Sequence, residues 1–219
     1  MRSEYRAVVF DMDGVIFDSE KAVMECWKEL ASKYQIKEIE NTIKACMGTT
    51  KEETKKIMLQ TYGEDFPYTE YAKEASKRYH EKYDGGRLPM KPGVVELLTY
   101  LKQENKKIAL ASSTRQQVVV QQLKDADIFA FFDVVICGDM VQKSKPAPDI
   151  YLKACENLGV SPDQAYAIED SYHGIQSAFA GKLRPIMVPD QLEPNEDMEK
   201  KAETIRKDLL EVLEYLKNL

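Results

Sequence analysis

Five short apolar runs punctuate the chain: Ala7 to Phe10, Ile108 to Ala111, Val134 to Cys137, Ala165 to Ile168 and Ile186 to Val188. They are too short for helices, and their unbroken apolar character predicts strands buried on both faces. Between them the period changes. Val94, Leu97, Leu98 and Leu101 recur at i, i+3, i+4 and i+7, and Ala147 to Leu158 reads the same way, so amphipathic helices separate the strands. This alternation predicts an α/β fold, a parallel sheet covered by helices on both faces.

Residues 18–87 break the alternation. No apolar run there exceeds three residues, and Glu20 to Tyr34 and Tyr68 to Tyr83 show a charged, helical pattern. The segment ends near Asp84, Gly85 and Gly86, with Pro89 and Pro92 soon after, a combination expected at a domain boundary or hinge. An all-helical insert at 18–87 therefore divides a core made of residues 1–17 and 88–219. The length agrees, since 219 residues correspond to about one and a half ordinary domains. Toward the C-terminus, Asp190 to Asp208 carries many charges of both signs. It reads as a loop and a solvated helical face, leading into Ile205, Leu209, Val212 and Leu216 at core spacing.

Composition narrows the partners. With 31 Lys and Arg against 37 Asp and Glu, the net charge of -6 disfavours nucleic acid or an anionic membrane, although one local basic site can still receive a small anion. Hydrophobic residues at 43% suffice for a substantial core. Cys26, Cys46, Cys137 and Cys155 lie too far apart for a zinc knuckle or a compact disulfide framework and read as reduced thiols. The N-terminal apolar run is shorter than a secretory or membrane-spanning segment, and a cytoplasmic location is expected.

In an open parallel sheet, ligands bind beyond the carboxyl ends of the strands. Asp11 and Asp13 follow the first run, spaced so that both can face one site, with Gly14 easing the chain's exit. Glu169 and Asp170 follow the fourth run, although Asp170 or Ser171 could simply cap the next helix, Tyr172 to Ala180. Carboxylates converging at one sheet edge repel unless a divalent cation neutralises them, and an all-oxygen set suits Mg²⁺. Ser112, Ser113 and Thr114 follow the second run and offer hydroxyls to phosphate oxygens. Lys145, in Ser144-Lys145-Pro146-Ala147-Pro148, is a candidate counter-ion for the carboxylates.

The segments Val9-Phe10-Asp11-Met12-Asp13-Gly14-Val15, Leu110-Ala111-Ser112-Ser113, Ser144-Lys145-Pro146-Ala147-Pro148-Asp149 and Ile168-Glu169-Asp170-Ser171 resemble, in order, the four signature motifs of the haloacid dehalogenase superfamily. The likeness spans nearly the whole core and implies a Rossmann-like fold. The insert resembles the helical cap of the branch that contains β-phosphoglucomutase and related phosphatases. The resemblance implies that Asp11 is the nucleophile, forming an aspartyl-phosphate, and that Asp13 is the general acid and base. It implies that Ser112 holds phosphoryl oxygens, with Ser113 beside it, and that Lys145 offsets charge between nucleophile and phosphate. Mg²⁺ would be held by Asp11, Asp170 and the backbone carbonyl of Asp13, and by Glu169 directly or through water.

Within the superfamily, Asp13 argues against the dehalogenases and the phosphonatases. The mutase carries a cap histidine important for its cycle, and with Trp27 as anchor this chain has Val23 there. Hydrolysis of a small phosphate monoester, a sugar phosphate or similar metabolite, is the expected activity, with mutase chemistry the alternative. A non-catalytic member that binds a metabolite or a protein partner is the third reading, and the intact Asp11 and Asp13 count against it. Gly48 to Lys51 resembles the cap loop that faces the active site in relatives, which makes Lys51 a candidate substrate contact. Lys77 and Arg78 are weaker candidates, since exposed helix charge is the commoner role, and Trp27 and Tyr34 read as cap core. His173 reads as a solvent-facing residue of a helix's first turn. Relatives usually place a glycine one residue after Gly181, which puts the turn at Ala180-Gly181-Lys182 in question. A monomer is the simplest expectation.

Overall fold

The computed structural model describes residues 4–46 and 51–219, Lys51 by its backbone alone. In chain order the first elements are β1 (Ala7–Phe10), α1 (Ser19–Ala31), α2 (Ile39–Cys46), α3 (Lys51–Tyr62), α4 (Tyr68–Tyr83), α5 (Val94–Gln103) and β2 (Lys107–Ser112). There follow α6 (Gln116–Asp125), β3 (Val134–Cys137), α7 (Asp149–Leu158), β4 (Ala165–Glu169), α8 (Tyr172–Ala180), β5 (Arg184–Met187), α9 (Glu196–Lys201), β6 (Thr204–Ile205) and α10 (Leu209–Lys217). They form two compact units, Met1–Phe17 with Pro89–Leu219, and Asp18–Leu88.

In the first unit the described residues form one parallel sheet of six strands in the order β3-β2-β1-β4-β5-β6. This is the doubly wound order, and its reversal at β1 makes a crevice at the carboxyl ends of the strands. The expected α/β sheet with helices on both faces is therefore present. Ala7, Val9, Ala109, Ala111, Ala165 and Ala167 pack in one apolar cluster with Ile150, Ala154, Cys155 and Leu158 of α7. The alternate residues Val8, Phe10, Ile108 and Leu110 are equally buried. Burial on both faces is why the strands read as unbroken apolar runs. Each fully buried Val, Leu, Ile or Phe contributes roughly 1.5–3 kcal/mol of transfer free energy.

The charged stretch after Asp190 folds differently from expectation. Asn195 accepts from the backbone N–H of Asp197 and of Met198, both at 3.0 Å, and so caps α9. Ile205 belongs to β6, which pairs with β5 through Ile186↔Thr204 and Met187↔Ile205, and α10 begins only at Leu209. An edge strand of two half-buried residues leaves no apolar run to read. At the end of α8, Gly181 has an ordinary φ of -75° and Lys182 takes the left-handed conformation at φ 63°. The left-handed turn thus falls where relatives usually place glycine, but on a lysine.

The second unit is helical. Leu30, Ile36, Ile39, Ile43, Met58, Tyr71 and Ala75 form its core, with Trp27 and Tyr34 packed edge-on against Tyr71 at 5.5 and 5.1 Å between ring centroids. The buried Tyr71 hydroxyl donates to the carbonyl of Trp27 at 2.7 Å, so its polar tip is satisfied without leaving the core. The boundary falls after Leu88, one residue beyond the limit read from the sequence. Among the described residues, no helix is long and apolar enough to cross a membrane. All four cysteines are free thiols.

Gly93 joins α5 to α10. Its φ is 89°, and a Cβ there would lie 2.6 Å from the backbone nitrogen of Leu210 and 2.9 Å from the carbonyl carbon of Leu209. Neither backbone can yield cheaply. Gly93→Ala is expected to cost about 2–3 kcal/mol and to lower Tm by roughly 4–12 °C. Chemical and thermal denaturation measure this, and an unchanged midpoint would contradict the close approach.

Candidate active site

The sheet register assembles the site. Phe10 pairs with both Leu110 and Ile168, so Asp11, Ser112 and Glu169 emerge at neighbouring strand ends. The backbone N–H of Asp11 donates to the carbonyl of Ile168 at 2.9 Å, which extends the β1–β4 pairing to the first carboxylate. Lys145 enters from the loop before α7, with a side chain only 7% exposed. Its ammonium donates to Asp11 Oδ1 at 2.5 Å, to the carbonyl of Ala111 at 3.0 Å and to Glu169 Oε1 at 2.6 Å. All three N–H groups are used, on Asp11 directly after β1, on Ala111 of β2 and on Glu169 of β4. Burial works against its charge, yet Asp11 and Glu169 outweigh that cost and raise its pKa.

Glu169 is fully buried. Its Oε1 also accepts from the hydroxyl of Tyr151 at 2.7 Å, and its Oε2 accepts from the hydroxyl and backbone N–H of Ser171 at 3.0 and 3.3 Å. Ser171 also accepts from the N–H of Gly174 at 3.0 Å, so it, and not Asp170, caps α8. Gly14 has φ 82°, and a Cβ there would fall 2.3 Å from Asp170 Oδ2. Only glycine lets the chain leaving β1 pass that close to the carboxylate.

Asp13 is half-buried, and Thr114 Oγ1 donates to its Oδ2 at 3.1 Å. Thr114 therefore holds Asp13 in this structure, where the sequence had suggested only a phosphate donor. Ser112 is fully buried, and its Oγ accepts from the N–H of Thr114 at 3.1 Å, which leaves the hydroxyl proton to donate. Ser113 is exposed beside it, and α6 starts only at Gln116.

The donor set fits a hard divalent cation. Asp11, Glu169 and Asp170 each offer a carboxylate oxygen, all within 4.8 Å of one another and all buried. Three carboxylates against the single ammonium of Lys145 leave two negative charges, which Mg²⁺ would balance. Asp190 adds a further sign. Its side chain is 4% exposed, its Oδ1 accepts from Lys91 at 2.6 Å, and its Oδ2 is buried with no hydrogen-bond partner. One of its oxygens lies within 4.8 Å of one of Asp170, where a cation's water would supply the missing donor. Burial pushes the Asp11 carboxyl up to about 8, with Lys145 lowering it and Glu169 and Asp13 adding to the rise. A cation among these oxygens acts in the lowering direction.

The remaining candidates separate. Lys51 and the loop before it, residues 47–50, lie outside the described residues for any side-chain contact. Arg78 pairs with Glu29 at 2.8 Å and Lys77 with Glu81 at 3.6 Å, both as exposed helix pairs of the second unit. Val23 is 40% exposed on α1, and His173 is exposed in the first turn of α8. Sequence reasoning missed Tyr151, Asp190 and the Thr114–Asp13 bond. For Tyr151 a signal existed, a lone hydroxyl on the otherwise apolar face Ile150, Tyr151, Ala154, Cys155 and Leu158.

A doubly wound sheet with carboxylates, a lysine and a buried serine at its switch point is an α/β arrangement suited to phosphoryl transfer. The sequence profile of the haloacid dehalogenase-like hydrolases matches residues 8–188, and the chain belongs to that family. It is 34% identical over 183 residues to a phosphorylated carbohydrates phosphatase of Thermotoga maritima, covering 82% of this chain and 83% of the relative. It is also 34% identical over 179 residues to the β-phosphoglucomutase of Bacillus subtilis, covering 78% of each. A solved Thermotoga maritima structure with the provisional name β-phosphoglucomutase superposes with a TM-score of 0.81 at 30% identity, over 98% of this chain and 99% of the other. Phosphatase names among the relatives assign the chain to the phosphoric monoester hydrolases.

Binding of Mg²⁺ at this carboxylate cluster would be measurable without substrate. At about 100 times its Kd the ion should add roughly 2.7 kcal/mol to stability, a Tm rise of about 5–10 °C for a chain of this size. Asp170→Asn should abolish the rise, and Gly14→Ala should reduce it by displacing Asp170. Thermal melts with and without Mg²⁺ test this, and an equal rise in Asp170→Asn would remove Asp170 from the metal site.

Proposed function

We propose that the protein is a cytoplasmic, monomeric, Mg²⁺-dependent phosphatase that hydrolyses a small phosphate monoester, a sugar phosphate or related metabolite, through an aspartyl-phosphate. The observation that carries this reading is the buried Lys145 ammonium on Asp11, beside Glu169 and Asp170 at the carboxyl end of the sheet. The carbohydrate phosphatase named among the relatives supports the substrate class.

Asp11 attacks phosphorus in line with the leaving oxygen. Lys145 fixes the Asp11 carboxylate through Oδ1 and keeps a positive charge beside the nucleophile as the anionic phosphoryl group approaches. Asp13, steadied by Thr114, gives a proton to the departing alcohol. The same carboxylate then takes a proton from the water that attacks the acyl-phosphate, so one residue serves both halves of the reaction. The Ser112 hydroxyl donates to a phosphoryl oxygen. Asp11, Asp170 and the backbone carbonyl of Asp13, with Glu169 in the same carboxylate cluster, would hold Mg²⁺, which would supply neutralisation of phosphoryl charge. Phosphoryl transfer depends mainly on positioning and charge neutralisation, and this set of residues supplies both.

Val23 favours hydrolysis over isomerisation. A mutase must shield its phosphoenzyme from water until a second hydroxyl arrives, and an apolar side chain on α1 offers no proton-handling group for that cycle. Phosphate release is to be measured over sugar phosphates, nucleotides and cofactor phosphates, alongside interconversion of glucose phosphate isomers. Wild type is expected to release phosphate only with Mg²⁺, and Asp11→Asn to lose at least about a thousandfold in kcat. Isomerisation faster than hydrolysis would favour the mutase. Equal release by wild type and Asp11→Asn would refute the catalytic assignment.

A further inference from the structure

Tyr151 and Glu169 form a unit that the phosphatase reading does not by itself require. Tyr151 sits in the first turn of α7, fully buried among Ala111, Ile150, Ala154 and Ala167. A phenylalanine would fill that space equally well. The hydroxyl instead reaches Glu169 Oε1 at 2.7 Å, the same oxygen that receives Lys145 at 2.6 Å. The ring also lies against the ammonium, 5.0 Å from its centroid.

The other oxygen of Glu169 is no less committed. Ser171 donates to Oε2 from its hydroxyl and its backbone. A Cβ on Gly174 would fall 1.8–2.0 Å from the Glu169 carboxyl atoms, so the carboxylate lies directly on the backbone of α8's first turn. A carboxylate has about four lone-pair directions. Glu169 receives four donors from the protein, whereas Asp190, near Asp170, keeps an oxygen with none.

We propose that Glu169 acts as the fixed counter-ion of Lys145 and not as a ligand of the metal, and that Tyr151 is the positioning residue that holds Glu169 in that role. The proposal rests on the phosphatase reading for the identity of the nucleophile that Lys145 serves. Charge accounting agrees, because Glu169 and Lys145 then cancel, and Asp11 with Asp170 supply the two charges that a divalent cation balances. Without the Tyr151 hydroxyl, Oε1 is left to Lys145 alone. The carboxylate can then shift, and the ammonium with it, away from Asp11 Oδ1. The cost falls on the chemical step, since neither Tyr151 nor Glu169 touches substrate.

Two measurements separate this from a structural role. Calorimetry with Mg²⁺ alone should give Glu169→Gln an affinity within about threefold of wild type, while Asp170→Asn loses binding. In steady-state assays Tyr151→Phe should lose about tenfold in kcat, the rate equivalent of one hydrogen bond to a buried charged acceptor, with KM nearly unchanged. In the Glu169→Gln background the same Tyr151→Phe change should have almost no further effect on kcat, because it acts through the missing carboxylate. Loss of Mg²⁺ binding in Glu169→Gln equal to that in Asp170→Asn would overturn the proposal. So would wild-type kcat in Tyr151→Phe, or fully additive losses in the double variant. A wild type without Mg²⁺-dependent turnover would overturn the phosphatase reading instead, and the Mg²⁺ affinities would still decide the role of Glu169.

Discussion

One buried ammonium organises the catalytic end of the sheet. Lys145 gives its three N–H groups to acceptors at the carboxyl ends of β1, β2 and β4, the central strands of the fold. A lone lysine at that depth would lose its proton, and carboxylates at that depth would gain theirs. Together each offsets part of the other's desolvation: the carboxylates hold the proton on Lys145, and Lys145 lowers the Asp11 carboxyl against the rise that burial imposes. Removing one partner from such a cluster commonly costs about 3–5 kcal/mol, since the remaining charges stay buried. The contact that ties three strand ends together is thus also the one that, on the proposed mechanism, sits beside the nucleophile.

The close packing of charge on backbone depends on small residues at defined points. Gly14 allows the chain leaving β1 to run against Asp170, and Gly174 allows α8 to start on top of Glu169. The backbone N–H of Ser171, just before α8, donates to Glu169 where that close approach leaves no room for a side chain. Ser171 connects the two roles, capping the helix through Gly174 and donating to Glu169 with the same hydroxyl. The acidic balance of the whole chain says little about the substrate. On the proposed reading, an arriving phosphate would meet the local field of Lys145, Ser112 and a cation held by the carboxylates.

The helical unit is built on different terms. Its core is aliphatic around one buried aromatic, Tyr71, with the partly buried Trp27, Tyr34 and Phe66 packed against that ring, and its surface carries charge pairs such as Glu29 with Arg78. Exposed pairs of this kind contribute little to stability, so the apolar cluster around Tyr71 carries the unit. That accounts for the sequence pattern of residues 18–87, which is too charged to read as strand and has few apolar positions, all at helical spacing.

Much of the fold was legible because burial leaves a local mark. A strand covered on both faces must be apolar throughout, so β1 to β5 stood out, and the residues after each one were the site candidates because chain adjacency puts them at the strand ends. β6 was hidden, since two half-buried residues in a charged stretch carry no such mark. The left-handed Lys182 was hidden as well, because φ there is set by the junction of α8 with β5 and not by the residue type. Asp11, Ser112, Lys145, Glu169 and Asp170 could each be named from sequence, but not their partners. That Lys145 spends all its protons on the protein, that Thr114 holds Asp13 and that Tyr151 holds Glu169 are contacts between residues 18 to 134 positions apart. Their distances exist only once the strand order brings β1, β2 and β4 side by side, and that order is a property of the packed sheet, not of any one segment.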